Sequence, residues 1–146
     1  MKDFHFGHVD AARETLAGRV IRTPVLPLCS NKLTPYLPPD CAMFMKLELF
    51  QHTGSFKARG ALLGVDWLGD DMRTSGVAGF SGGNFALALA WAAQQNNVPA
   101  KVVMSKTADP LRINGCRDLG AEVVLVDGIA AAMPELDRIK AEEGRK

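Results

Sequence analysis

The sequence predicts an α/β fold, an open parallel sheet with helices on its faces, and two observations carry the prediction. From Val77 onward, short apolar runs (77–80, 101–105, 121–126) alternate with helical patterns (84–96, 109–120, 129–143), and that alternation builds βαβ units. The handedness of such crossovers makes the layer right-handed. The second observation is the turn Ser81-Gly82-Gly83, which links a strand's carboxyl end to a helix start. Open parallel sheets bind their ligands there.

Taken in order, Val9 to Ala17 reads as a short helix with Asp10 as its N-cap, an apolar stripe of Ala11, Ala12, Leu16 and Ala17, and Gly18 as its stop. Val20 to Leu28 contains two prolines, which suits an extended edge segment and excludes a central helix. Leu33 to Asp40 is a proline-rich loop, and Ala42 to Leu49 an apolar strand. Ala58 to Leu68 follows as a helix with apolar residues at Ala61, Leu62, Val65 and Leu68. Asp70-Asp71 reads as a solvated turn. The helix from Asn84 is apolar on most faces and should be deeply buried. In the next helix Asp109 is a good N-cap, Pro110 a good first residue and Gly120 a good stop. Trp67 and Trp91 are expected in the core.

Composition narrows the function classes. With 146 residues, 47% of them hydrophobic and 23% charged, the chain can build one real core. A net charge of +1 with scattered basic residues gives nucleic acid no surface to bind. No run is long and apolar enough for a signal peptide or a membrane span. Cys29, Cys41 and Cys116 are odd in number and lack metal-ligand spacing, which fits a reducing cytoplasm. His5, His8 and His52 are too dispersed for a metal site and read as surface or loop residues, and Cys116 reads as a packing residue.

Chemistry concentrates in two stretches. In Phe50 to Ala61, FQHTGSFKARGA, the turn Thr53-Gly54-Ser55 offers Ser55 as a helix cap and leaves Phe56 and Lys57 in the first helical turn. The positive end of the helix dipole disfavours an ammonium there and favours the free amine that Schiff-base chemistry needs. A solvated lysine behind a capping serine remains equally compatible with this segment alone. In Ser81-Gly82-Gly83-Asn84-Phe85, backbone N–H groups at a helix N-terminus form a cradle for a carboxylate or phosphate, and the Asn84 amide can bond a phenolate or carbonyl oxygen. A tight turn with a capping asparagine is the plain alternative. The spacing matches neither of the glycine-rich nucleotide loops.

Together, FQHTGSFKARGA and SGGNFALALA resemble the fold-type II pyridoxal-phosphate enzymes, in particular the threonine/serine dehydratase and serine racemase branch. Ile21-Arg-Thr-Pro24 and Asp118-Leu-Gly-Ala-Glu-Val123 extend the resemblance over nearly the whole chain. It implies that Lys57 is the Schiff-base lysine, that Phe56 packs beside the cofactor ring, and that Asn84 bonds its 3′-oxygen. It also implies that the loop of Ser81, Gly82, Gly83, Asn84 and Phe85 receives the substrate carboxylate. The implied reaction is α,β-elimination from a small hydroxy amino acid to a 2-oxo acid and ammonia, with Lys57 removing the α-proton.

The chain departs from the family's pattern in three respects. Gly82 stands where racemases of this branch carry a second serine, which disfavours racemisation. Phe85 stands where the family usually has histidine, making the loop mouth apolar. Family members are also much longer, and their glycine-rich loop for the cofactor phosphate falls beyond Lys146. The resemblance therefore implies the N-terminal half of such an enzyme, with residues 1–40 as a piece of the large domain and 41–146 as the small α/β domain. Apolar surface at Val20 to Leu28 is expected to pair with another chain, a homo-oligomer partner or the missing half, or else to be mobile. Threonine-synthase-like or β-replacement chemistry, and a non-catalytic binding module, are the alternatives.

Overall fold

A computed structural model describes residues 5–28 and 30–146; the side chains of residues 70–72 lie outside the described set. Cys29, whose redox reading came from spacing, lies outside it as well.

The predicted parallel sheet is present. Its strands are β3 (Val77–Phe80), β4 (Ala100–Ser105) and β5 (Glu122–Val126), paired in that order and all parallel. Alternation along the strands decides what each face packs. Val77, Val102, Met104 and Val123 point into a core shared with α2 (Lys57–Asp66), α4 (Asn84–Gln95) and α5 (Pro110–Asp118). Ala78, Phe80, Val103, Val124 and Val126 point to the opposite face, where α6 (Ala132–Glu143) covers them with Ala132, Leu136 and Ile139. Period-2 side chains and helices on both faces are what a buried parallel sheet requires.

Helix α4 is the centre of the larger core. Ala86, Ala88, Leu89, Ala90, Trp91, Ala92 and Ala93 are all buried, and the run of alanines lets α2 pack closely against it. Lys101, on β4, is buried among these layers yet ionised, because Glu143 of α6 accepts from it at 2.5 Å and Glu122 of β5 lies 3.1 Å away. The hydrogen bond to Glu143 holds its ammonium above the usual lysine range against the cost of burial.

Several local expectations are corrected. Helix α1 runs Phe6–Leu16, and its cap is His5 rather than Asp10: His5 Nδ1 accepts from Gly7 N at 3.1 Å while His8 Nδ1 accepts from His5 N at 3.3 Å. Imidazole acceptors can thus fill a capping role that sequence rules reserve for short polar side chains. The strand expected over Ala42 to Leu49 is the three-residue β2 (Phe44–Lys46), and it pairs antiparallel with β1 (Val25–Pro27) outside the parallel sheet. That hairpin-like pair joins residues on both sides of position 40. The proline-rich loop contains a 3-10 turn at Thr34–Tyr36. A short helix, α3 (Asp70–Ser75), occupies the expected turn at Asp70-Asp71. Trp91 is buried as expected, but Trp67 is 74% exposed, since it caps the end of α2 rather than facing α4.

The apolar surface expected in the N-terminal part is present: Ile21, Val25, Leu26, Phe44, Met45 and Phe50 are all exposed. Among the described residues no helix is long and apolar enough to cross a membrane.

Candidate active site

The turn ahead of Lys57 is held from three sides. Gln51 is buried, donating through Nε2 to Ile21 O at 2.8 Å and accepting through Oε1 from Ile21 N and His52 N, both at 3.0 Å. The His52 ring stacks on Trp91 of α4, centroids 4.7 Å apart. Between them Thr53 and Gly54 both take left-handed backbone angles, with φ of 60° and 70°. A β-branched residue held there stores strain of about 1–3 kcal/mol, which persists only where its surroundings over-determine it.

Ser55 is extended and supplies no side-chain cap to α2, contrary to expectation. Its hydroxyl and that of Thr53 are instead buried without a hydrogen-bond partner among the described residues. Buried hydroxyls of native proteins are nearly always satisfied, so two orphans beside one lysine mark a strained, polar wall.

Lys57 is the first residue of α2 and is exposed. Its Nζ lies 4.9 Å from the centroid of the Phe56 ring and, among the described residues, makes no hydrogen bond or ion pair. Two residues on, Arg59 donates from Nε and Nη2 to both Glu48 oxygens, at 3.0 and 2.8 Å, and from Nη2 to Ile21 O at 3.0 Å. Thr23 Oγ1 donates to the same carboxylate at 2.6 Å, and Lys46 Nζ donates to Thr23 O and Oγ1. The fork from Arg59, with help from Thr23 and the charges of Arg59 and Lys46, outweighs desolvation and lowers Glu48 from the ordinary 4.5 to about 2. The backbone of Ile21 thus bonds Gln51 before the lysine and Arg59 after it, while Thr23 joins the cluster through Glu48.

Across α4 the second stretch forms the cradle. Ser81 Oγ accepts from Gly83 N at 3.1 Å, and Ser81 N donates to Val103 O at 3.1 Å, which fixes the loop to β4. Gly83 is the N-cap and Asn84 the first residue of α4. The backbone N–H groups of Gly82, Asn84 and Phe85 have no protein acceptor among the described residues. Three free donors at a helix N-terminus suit a carboxylate. Gly82 leaves this mouth open, since a Cβ there would meet only Ala108 at 3.8 Å. Arg112 of α5 donates from Nη1 to Asn84 Oδ1 at 2.8 Å.

The structure places Ser81, Gly82 and Gly83 in the loop and Asn84 and Phe85 in the first turn of α4, and sets Phe56 against Lys57. Among the described residues no hydrogen bond or ion pair joins Lys57 to that stretch; the packing of α2 on α4 and the His52–Trp91 stack relate them. Sequence reasoning missed Thr23, Glu48, Gln51, Arg59 and Arg112. A buried glutamine or an ion pair between distant segments has no periodic signal; only the repeat of charged residues around the lysine, Lys46, Glu48 and Arg59, could have pointed to it. Cys116 is fully buried and burial pushes its thiol up, as a packing residue requires.

An amine free of ion pairs, an outward amide and three free N–H donors fit an aldehyde-bearing anionic aromatic group together with an amino-acid carboxylate. The chain is similar to several known proteins. The phenylserine dehydratase of Ralstonia pickettii is 50% identical over 107 residues, covering 73% of this chain and 33% of the relative. The L-threo-3-hydroxyaspartate ammonia-lyase of Pseudomonas sp. is 36% identical over 132 residues, 90% of this chain and 40% of that enzyme. Maize serine racemase superposes with a TM-score of 0.84 at 29% identity, covering 96% of this chain and 42% of the racemase. The chain thus spans about a third to two-fifths of the length of the proteins it matches. The family model for pyridoxal-phosphate dependent enzymes matches residues 17–145, nearly the entire chain, and the protein belongs to that family.

Proposed function

We propose that this chain carries the lysine-bearing part of an ammonia-lyase that eliminates the β-hydroxyl of a small hydroxy amino acid, giving a 2-oxo acid and ammonia. The observation that carries the reading is Lys57: an amine at a helix N-terminus without an ion pair among the described residues, behind a strained turn flanked by the Gln51–Ile21 bonds and the His52–Trp91 stack. Lys57, Phe56 and Asn84 would hold pyridoxal phosphate, which supplies, when bound, the electron-withdrawing ring that makes a substrate's α-proton acidic. Lys57 Nζ then accepts that proton. The free N–H groups of Gly82, Asn84 and Phe85 bind the substrate carboxylate and orient its α-carbon, aided by the dipole of α4. Gly82 offers no hydroxyl to return a proton, which favours elimination over racemisation.

The names of the two relatives, a dehydratase and an ammonia-lyase, support the same reaction class. Phe85, 37% exposed, adds an apolar contact at the cradle. The reading includes a cytoplasmic setting, supported by cysteines outside any disulfide spacing. It includes work as a homo-oligomer or with the remainder of a longer protein, supported by the exposed apolar face. It also includes a small α/β domain over 41–146 beside a large-domain piece over 1–40, with the β1–β2 pair bridging them.

The test is to supply pyridoxal phosphate with L-threonine, L-serine and L-phenylserine and to measure 2-oxo acid and ammonia. We expect both products from at least one substrate and none from Lys57→Ala. Cofactor uptake without either product from any of the three would contradict the reading.

A further inference from the structure

We infer that Arg112 is a positioning residue that sets which way the Asn84 amide faces. A guanidinium has only donors, so the group 2.8 Å from Arg112 Nη1 must be the amide oxygen, and Nδ2 is left as the outward donor. Nδ2 has no acceptor among the described residues. Without the guanidinium the amide of this exposed residue could turn either way, and half of its orientations would present an oxygen to an anionic or phenolate ligand. The start of α5 holds the backbone of Arg112 there. Asp109 caps α5 through Leu111 N at 2.9 Å and accepts from Arg112 N through its own carbonyl at 2.9 Å. The guanidinium lies alongside the loop, with Nη1 at an ordinary contact distance of 3.5 Å from where a Cβ at Gly83 would stand. The half-buried Arg112 also places a positive charge beside the free N–H groups of the cradle, which adds to the helix dipole.

The inference rests on the proposed role of Asn84 toward the cofactor oxygen, and two measurements separate the two ideas. The first needs no cofactor: the Asn84 side-chain amide is followed by ¹⁵N NMR in the full chain and in Arg112→Met, which keeps the aliphatic stem. We expect an ordered Nδ2 group in the parent and a mobile one in the variant; unchanged order would overturn the clamp. The second is a double-mutant cycle on pyridoxal-phosphate binding and on the pH profile of its near-visible absorbance. Arg112→Met should weaken binding roughly three- to tenfold, as expected for one oriented hydrogen bond. It should shift the profile in the same direction as Asn84→Ala, and the double variant should be no weaker than Asn84→Ala alone. Additive losses, or an unshifted profile, would overturn the inference while leaving the cofactor reading intact. If the parent chain takes up no cofactor, the cofactor reading fails and the NMR result alone decides the clamp.

Discussion

Glu48 shows how a residue far from any motif can govern the lysine. Its carboxylate collects Arg59, Thr23 and Lys46 and so ties the extended N-terminal segment to the first turn of α2. Because its folded-state value is lowered to about 2, its contribution is fully present above the ordinary carboxylate range near 4.5 and is lost as pH falls from there through about 2. Solvent reaches the pair, so we expect about 2 kcal/mol rather than the full value of the shift. Urea unfolding at several pH values checks this: Glu48→Gln should be about 2 kcal/mol less stable at pH 7, with the gap closing below pH 4.5. A gap that is the same at pH 7 and pH 3 would contradict it. At this scale the sequence marked Lys57, Asn84 and the Ser81–Phe85 stretch as candidates because each lies beside a glycine turn, and the structure places Lys57 and Asn84 as the first residues of α2 and α4. The sequence hid Gln51, Glu48 and Arg112, whose roles come from partners brought close only by folding.

Among the elements, those bounded by strong punctuation were the legible ones. Helix α5 begins at Pro110 behind Asp109, and Gly120, with φ of 83°, follows its end, as the residue types dictate. Asp109→Ala should cost about 1 kcal/mol by thermal unfolding, the usual worth of such a cap. Since Arg112 lies in the first turn, the variant should also loosen the Asn84 contact; an unchanged melting temperature would contradict the capping role. Helix α1 was misread at its start because Asp10 looks like a cap while His5 acts as one. The β2 strand was overextended for a related reason. An apolar run has no signal for where pairing stops, and after Lys46 the chain must turn into two short 3-10 segments, Glu48–Phe50 and His52–Gly54, to deliver the strained Thr53-Gly54 pair.

For the whole molecule, the parallel layer was readable because alternation along β3, β4 and β5 is matched by helices of the right length between them. The pairing of β1 with β2 was not, since antiparallel pairing of two three-residue strands depends on contacts between segments that no local pattern records. The apolar face around Val25, Leu26 and Phe44 follows from the same arrangement, because this small sheet has helices on neither face comparable to those of the large one. The two halves of the site are then joined by one element: α4 carries Asn84 at its start and Trp91, the support for the turn ahead of Lys57, further along. We expect Lys57, among the lysines of the chain, to be the amine that takes the cofactor. Reduction with borohydride in the presence of pyridoxal phosphate, followed by peptide mass spectrometry, tests it most directly. We expect a phosphopyridoxyl label concentrated on the Lys57 peptide and abolished there by Lys57→Ala; a label spread evenly over exposed lysines, with Lys57 no different from the rest, would contradict this role.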